Sequence, residues 1–411
     1  METIKENSYS ISSAFLKWNQ FLWRNSFFQN IRILFYAIDG MMLVFCPQEK
    51  KKQSDDSRKK VLIVYNLALG DGIMFYGVSQ CIREIWPKEK FEISIACQTA
   101  FAPLYESSGV FDRVLPFDFS GAVLNLGNRM KLFRQLRAVQ YDFVVDPVGC
   151  EDCTTNIFVT RAALGKQKIG VLDTALRKHQ MPGWMRRKIY DKVVEINQKQ
   201  IHLIQYYGMF FKLLGAKECR VRPAQLPDIE LPFETPERFF VVFPVASMAV
   251  KKWPIERYAY ITKKIYEKTH MPLVVCGTNH DRAGIEELLS KLSGVEVINY
   301  IGKTNIMQFT ELIRRASLVI SNDTSAYHIA VARQVPVAMI CGGYTYHRYA
   351  KYKYADEGCK DPVLIHKKMK CFDCNNHCVH SGFACFPCIE QISQEDAWRE
   401  IERMIEREAL L

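Results

Sequence analysis

The 411-residue chain contains neither a G-x-x-x-x-G-K-[ST] loop nor a G-x-G-x-x-G turn, the glycine patterns that cradle phosphates in P-loop enzymes and dehydrogenases. That argues against an NTPase or a dehydrogenase. It also lacks an apolar run fit to cross a bilayer. Ile33 to Cys46 is shorter than the roughly 20 residues a span requires, and it carries Asp39-Gly40 near its middle. A signal peptide is not expected either, because Glu2 and Glu6 precede the apolar part of the N-terminus and no small-residue cleavage site follows. No nucleic-acid recognition motif accompanies the net charge of +11, so no nucleic-acid partner is expected. That charge suits nucleotide diphosphates, phosphorylated glycans or an acidic membrane face. Nor does the composition show wholesale disorder: apolar residues make up 48% of a chain long enough for two cored domains.

What is present is an alternation of strands and helices that starts twice. Val61 to Tyr65 is a continuous apolar run of the kind that fills a parallel sheet covered on both faces, followed at once by the turn Ala68-Leu69-Gly70-Asp71-Gly72. An amphipathic helix is expected from there to Trp86-Pro87. Strands follow at Phe91–Cys97, Val110–Leu115 and Tyr141–Asp146, with a basic helix at Met130–Val139, and the signal weakens from about Gly170 to Glu234. Pro223, Pro227, Pro232 and Pro236 mark an interdomain linker. The alternation then restarts at Phe239–Phe243 and runs through strands at Leu273–Gly277, Val295–Ile298, Leu318–Ile320 and Val335–Cys341. The expected domains are an N-terminal extension at 1–58, a first Rossmann-like domain at 59–235, a second at 236–345, and a cysteine-rich segment with a C-terminal helix at 346–411.

In open α/β sheets ligands bind outside the carboxyl ends of the strands, so Asp71 is expected to face a substrate. Thr324 and Ser325 open the helix that carries His328, and their backbone N–H groups with the helix dipole offer an anion site suited to a diphosphate. Each feature taken singly has a plainer reading. Asp71, Asp323 and Thr324 are ordinary helix-capping types, and Lys251 could lie along the ring of Trp253.

The N-terminal extension is amphipathic: Ile11, Phe15, Trp18 and Leu22 recur at helical spacing, with Lys17, Arg24 and Arg32 among them. It reads either as an interfacial helix on the cytoplasmic leaflet, aided by Lys50-Lys51-Lys52 and Arg58-Lys59-Lys60, or as a helix packed on the body of the protein. Fourteen cysteines divide into two groups. Cys81, Cys97, Cys276 and Cys341 read as small buried hydrophobes in a reducing compartment, which points to the cytosol. Cys371-x2-Cys374-x3-Cys378-x6-Cys385-x2-Cys388 has spacing suited to a structural zinc held by Cys371, Cys374, Cys385 and Cys388, with Cys378 as substitute; an iron–sulfur site or free thiols are the alternatives.

The succession Gly70-Asp71, Ser247...Lys251-x-Trp253-Pro254, Gly277-x-x-x-Asp281, Ser321-Asn322-Asp323-Thr324...His328-x-Ala330 and Val335-Pro336-Val337 before a glycine pair resembles glycosyltransferase family 9, the heptosyltransferase-like enzymes. The resemblance covers roughly residues 59 to 400. It implies a GT-B fold, two doubly wound Rossmann-like domains facing a cleft, with the acceptor on the first and a nucleotide-activated sugar on the second. It further implies inverting transfer without an obligatory metal, ADP-heptose as the favoured donor, and a lipid-linked or lipopolysaccharide-type acceptor. Asp71 would be the general base and Lys251 would supply positive charge to the departing diphosphate. Gly70, Ser247, Asp281, Asp323, Thr324, Ser325 and His328 would bind substrate. Ser325 stands where the family usually has glycine and Val245 where Pro-Gly is common, and both bear on the donor site. The C-terminal helix, opened by Ser393-x-x-Asp396, would pack back on the first domain. The alternatives are a silent nucleotide-sugar-binding scaffold and another GT-B enzyme such as a nucleotide-sugar epimerase.

Overall fold

The computed structural model describes residues 29–46, 57–118, 121–122, 125–149, 155–175, 181–344, 346–354, 358–375, 378–380 and 383–411. The expected stripe from Ile11 to Leu22 and the basic run at Lys50-Lys51-Lys52 lie outside them. Two compact units make up the chain, Met1–Leu67 with Trp86–Asn197 and Ala68–Ile85 with Gln198–Leu411.

The first unit holds a six-stranded, all-parallel sheet. Its strands are β1 (Lys59–Val64), β2 (Phe91–Gln98), β3 (Arg113–Phe117), β4 (Gln140–Asp146), β5 (Leu164–Asp173) and β6 (Lys192–Ile196), ordered β3-β2-β1-β4-β5-β6. Val61 lies between Ile93 and Phe143 in the ladder, and Val61 to Val64 are all buried. Such a centre strand is covered on both faces, which is why its sequence is unbroken by polar residues. The two strands β5 and β6 fall across the stretch where the sequence signal weakens. Lys166, Gln167, Lys168, Lys192 and Glu195 interrupt their apolar pattern.

The helix Gln29–Val44 belongs to this unit. Met42 and the following Cys46 are buried in the same cluster as Leu62, Phe133 and Phe158, and Ile38 packs against it. Asp39 pairs with Arg129 at 3.2 Å, both buried. Burial pushes the Asp39 carboxyl up to about 6, opposed by Arg129 and Arg161. One face of this helix is therefore packed.

The second unit repeats the plan with β7 (Phe240–Phe243), β8 (Leu273–Val275), β9 (Val297–Asn299), β10 (Leu318–Ser321), β11 (Val337–Ile340) and β12 (Val363–Ile365), ordered β12-β11-β10-β7-β8-β9. Numbered within each sheet, both read 3-2-1-4-5-6, the doubly wound order. The helix expected from Gly70 to Trp86 is broken into Leu69–Tyr76 and Cys81–Ile85. Gly77 ends the first piece, and a Cβ there would lie 2.7 Å from the carbonyl oxygen of Arg222. Close approach of two backbones selects glycine at that point, and the helix stops. Beyond the break Cys81 is disulfide-bonded to Cys219, so it is not the free buried thiol that its apolar neighbours suggest. Cys97, Cys276 and Cys341 are free and buried.

The C-terminal helix Gln394–Arg407 starts at Ser393, whose Oγ accepts from Asp396 N at 3.0 Å. It packs on the helix Ile255–Thr269 and on β12 of its own unit, with Lys268 reaching both Glu402 and Glu406 at 2.8 Å. The expectation that it would return to the first domain is corrected: its apolar edge of Ala397, Ile401, Met404 and Ile405 is buried here.

Candidate functional site

In the second sheet β7 and β10 lie side by side, and the chain leaves them toward opposite edges. The loops at their carboxyl ends separate there, which makes the crevice where doubly wound sheets hold ligands. Asn322, fully buried, spans it. Its Nδ2 donates to the Pro244 carbonyl at 2.7 Å, while its Oδ1 accepts from Tyr258 OH at 2.8 Å and Trp253 N at 3.4 Å. One amide side chain thus fixes the β7 loop to the β10 loop.

The neighbouring Asp323 collects charge. Its Oδ2 accepts from Lys251 Nζ and from Tyr344 OH, each at 2.9 Å, and its Oδ1 lies 3.8 Å from His328 Nε2. Burial alone would raise this carboxyl, but Lys251 and His328 outweigh it and hold the group well below the usual carboxylate range. Lys251 also stands 5.1 Å from the ring centre of Tyr344. An ionised Asp323 therefore orients an ammonium at the mouth of the sheet.

His328 is buried on the helix Ser325–Ala332, and its Nδ1 is 2.7 Å from Tyr352 OH. Gly70 comes against it from the helix Leu69–Tyr76: a Cβ on Gly70 would lie 2.6 Å from His328 Cδ2. Glycine at position 70 is thus a requirement of close helix packing. Asp71 follows in the first turn of that helix, whose N-cap is Ala68. Burial pushes the Asp71 carboxyl up to about 6; His328, Lys251 and Arg348 lower it, and the like charge of Asp323 raises it. Two carboxyls in one site are driven in opposite directions, the pattern of an acid–base pair.

The structure so brings together Gly70, Asp71, Lys251, Asp323 and His328. Thr324 is the N-cap of the Ser325–Ala332 helix, and its Oγ1 is 2.9 Å from Ser321 Oγ; Ser325 is the first helical residue. Ser247 is exposed on the loop after β7. Asp281 is engaged elsewhere, its Oδ2 accepting from Thr278 N at 2.8 Å and Thr278 Oγ1 at 2.7 Å in a capping box. Sequence reading missed the aromatic and basic lining: Tyr344, Tyr352, Arg348 and His202. His202 packs on Tyr352 at 4.3 Å between ring centres, and burial lowers its pKa to about 3. Arg348 lies 4.7 Å from the ring centre of Tyr206. Their positions follow no short motif, and the turn at 344–354 bears no strand or helix signal in the sequence.

Among the described residues the cysteine cluster is not gathered into the expected zinc site. Cys371, Cys374, Cys378 and Cys388 line a small apolar pocket with His380, while Cys385 directs its Sγ to the Phe386 carbonyl at 3.7 Å. Burial pushes the thiols of Cys374 and Cys385 up to about 11. Among the described residues no group of three or more histidine, cysteine, aspartate or glutamate side chains is placed to hold a metal ion. This geometry does not support the structural-zinc expectation among the described residues.

The family model for glycosyltransferase family 9 (heptosyltransferase) matches residues 129–380. The chain is 24% identical over 314 residues to the lipopolysaccharide core heptosyltransferase OpsX of Haemophilus influenzae, covering 73% of this chain and 84% of that one. It is 23% identical over 297 residues to lipopolysaccharide heptosyltransferase 2 of Salmonella typhimurium, covering 69% and 82%. Among solved structures, a glycosyl transferase family 9 protein of Veillonella parvula superposes with a TM-score of 0.66 at 14% identity, covering 86% of this chain and 100% of that one. The E. coli heptosyltransferase WaaC with ADP gives 0.61 at 18% identity, covering 84% and 99%. These likenesses establish the fold as GT-B, and the family match extends over more than half of the sequence. The chain is a glycosyltransferase and belongs to family 9, the heptosyltransferase family.

Proposed function

We propose that the protein transfers a heptose-like sugar from ADP-heptose to a lipopolysaccharide or other cell-surface glycan acceptor, inverting the anomeric centre, in the cytoplasm. The observation that carries this is the opposed pair of carboxyls. Asp71, with its proton held to about pH 6, is mostly ionised at neutral pH and still basic enough to take a proton; Asp323 stays ionised and holds Lys251. In the transfer, the acceptor hydroxyl attacks the anomeric carbon and gives its proton to Asp71, while the bond to the nucleotide diphosphate breaks and its oxygen takes the electron pair. Lys251 then faces charge that grows as the bond breaks, where a fixed cation lowers the barrier most. Thr324, Ser325 and the helix they open suit the diphosphate, whose charge the N-terminal dipole favours. Ser247 is proposed as a further hydrogen-bond donor to phosphate, and His328 as a wall of the donor site, with Gly70 admitting it.

The donor reading draws on the relatives, which are named as heptosyltransferases of lipopolysaccharide, and on the solved neighbour that contains ADP. No cofactor is proposed for the chemistry. Titration calorimetry against ADP, UDP, GDP and CMP tests the donor: ADP should bind selectively, and Asp71→Asn should keep that affinity while lowering turnover by about 10²-fold or more. Comparable turnover in the mutant removes Asp71 from the chemistry. Failure of all four nucleotides to bind favours the silent scaffold.

A further inference from the structure

The helix Gln29–Val44 packs by one face and leaves the other apolar. Leu34, Met41, Val44 and the adjoining Phe45 are 58%, 59%, 77% and 76% exposed. With Ala37, also exposed, they recur three or four residues apart and so form a single stripe. They are four of the nine exposed large hydrophobic side chains among the described residues, gathered within twelve positions. A fifth, Trp184 at 40%, meets Tyr36 of the same helix edge-on at 5.6 Å. Trp184 is the second residue of the helix Gly183–Ile189, which also carries Arg186, Arg187 and Lys188, and Lys188 Nζ stands 5.6 Å from the indole centre.

Three independent features converge here. Contiguous exposed apolar side chains of this kind mark an interaction surface, since water would favour polar residues at the same positions. The charge beside them selects the partner: cations grouped next to an apolar stripe and a tryptophan complement anionic headgroups over an acyl layer. The anchoring sets the depth. Asp39 is held by Arg129 at 3.2 Å, and Arg161 donates to the Tyr36 carbonyl, so the helix stays on its unit and only its outer stripe is free to enter an interface. No helix among the described residues is long and apolar enough to cross a membrane.

We propose that Leu34, Met41, Val44, Phe45 and Trp184, with Arg187 and Lys188, form a docking surface for an anionic bilayer. None of these residues belongs to the Asp71–His328 group, so the surface stands or falls independently of the transfer reaction.

The test is co-sedimentation of the full chain with phosphatidylcholine vesicles and with vesicles that also contain phosphatidylglycerol, at two salt concentrations. The wild type should bind the mixed vesicles and lose affinity as salt rises. Met41→Ser/Phe45→Ser should weaken binding at least about tenfold, and Arg187→Ala/Lys188→Ala about tenfold on anionic vesicles only. The circular-dichroism melting midpoint should match the wild type in both variants, showing that the fold persists. Wild-type protein left in the supernatant, or folded variants that bind as well as the wild type, would overturn the proposal. A wild-type dimer that Met41→Ser/Phe45→Ser converts to monomer in light scattering would also overturn it, assigning the stripe to a second copy.

Discussion

Asp71, the proposed base, illustrates how a buried carboxyl opposes folding. Its carboxyl ionises near 3.8 when unfolded and near 6 in the folded protein, because burial disfavours the charge. The folded state therefore binds more protons between those values, and stability falls as pH rises from about 4 to 6, with the penalty complete above 6. Asp71→Asn removes the ionisable group without changing its shape. It should raise the melting midpoint at pH 8, corresponding to on the order of 1–3 kcal/mol, and leave it unchanged at pH 4. The same titration should give wild-type turnover a rising limb centred near pH 6 that the mutant lacks. A mutant no more stable than the wild type at pH 8 would mean that Asp71 is better solvated than its surroundings indicate. Asp323 behaves oppositely: Lys251 and His328 hold it ionised, so it strengthens the fold at neutral pH and resists loss until well into acid.

At the scale of elements, the helix carrying Asp71 is tied to the second unit by more than packing. After the break at Gly77, Cys81 is bonded to Cys219, and the Glu84 carboxylate accepts from Glu218 N at 2.9 Å and Cys219 N at 3.1 Å. The disulfide joins residues 138 positions apart, and closing so long a loop removes much of the freedom of the unfolded chain. Cys81→Ser/Cys219→Ser should lose about 2–5 kcal/mol of stability, and dithiothreitol should lower the melting midpoint of the wild type but not of the variant. A wild-type midpoint indifferent to dithiothreitol would show that the bond adds nothing. No sequence pattern marks this pair, since Cys81 lies beside Ile82 in a short helix while Cys219 lies between the exposed Glu218 and Arg220, far from it in the chain. By contrast β1, β2, β4, β7 and β10 were legible, because centre strands of a covered parallel sheet are runs of apolar residues. The strands β5, β6 and β12 were not: polar residues interrupt the first two, and Val363–Ile365 is a short run set between Asp361-Pro362 and His366-Lys367-Lys368. Within the site, Gly70-Asp71 and Asn322-Asp323 could be read because turns at strand ends constrain residue type. Tyr344 and Tyr352 could not, since a tyrosine in an irregular turn shows nothing of where its hydroxyl ends.

At the scale of the whole molecule, sequence distance and physical grouping diverge. Residues 68–85 follow the first strand of the first sheet, yet they belong to the compact unit that contains residues 198–411. Asp71, Lys251, Asp323 and His328 are consequently members of one unit, although Asp71 precedes the others by most of a domain in the chain. A ligand bound by Lys251 and the Ser325–Ala332 helix should therefore stabilise Leu69–Tyr76 as well. Hydrogen exchange reads this directly, because amides that exchange by opening of a cooperative unit are slowed by the free energy of binding. With ADP at about 100 times its dissociation constant that energy is about 2.7 kcal/mol, or roughly 100-fold in rate. Slow amides of Leu69–Tyr76, β7 and β10 should be retarded together by about that factor, while those of β2, β4 and β5 change far less. Retardation confined to β7 and β10 would separate the Asp71 helix from the proposed donor site and would place the proposed base outside the reach of the nucleotide's stabilisation. Joint retardation of a segment so distant in sequence would instead show that the Asp71 helix and the nucleotide are held by one cooperative structure.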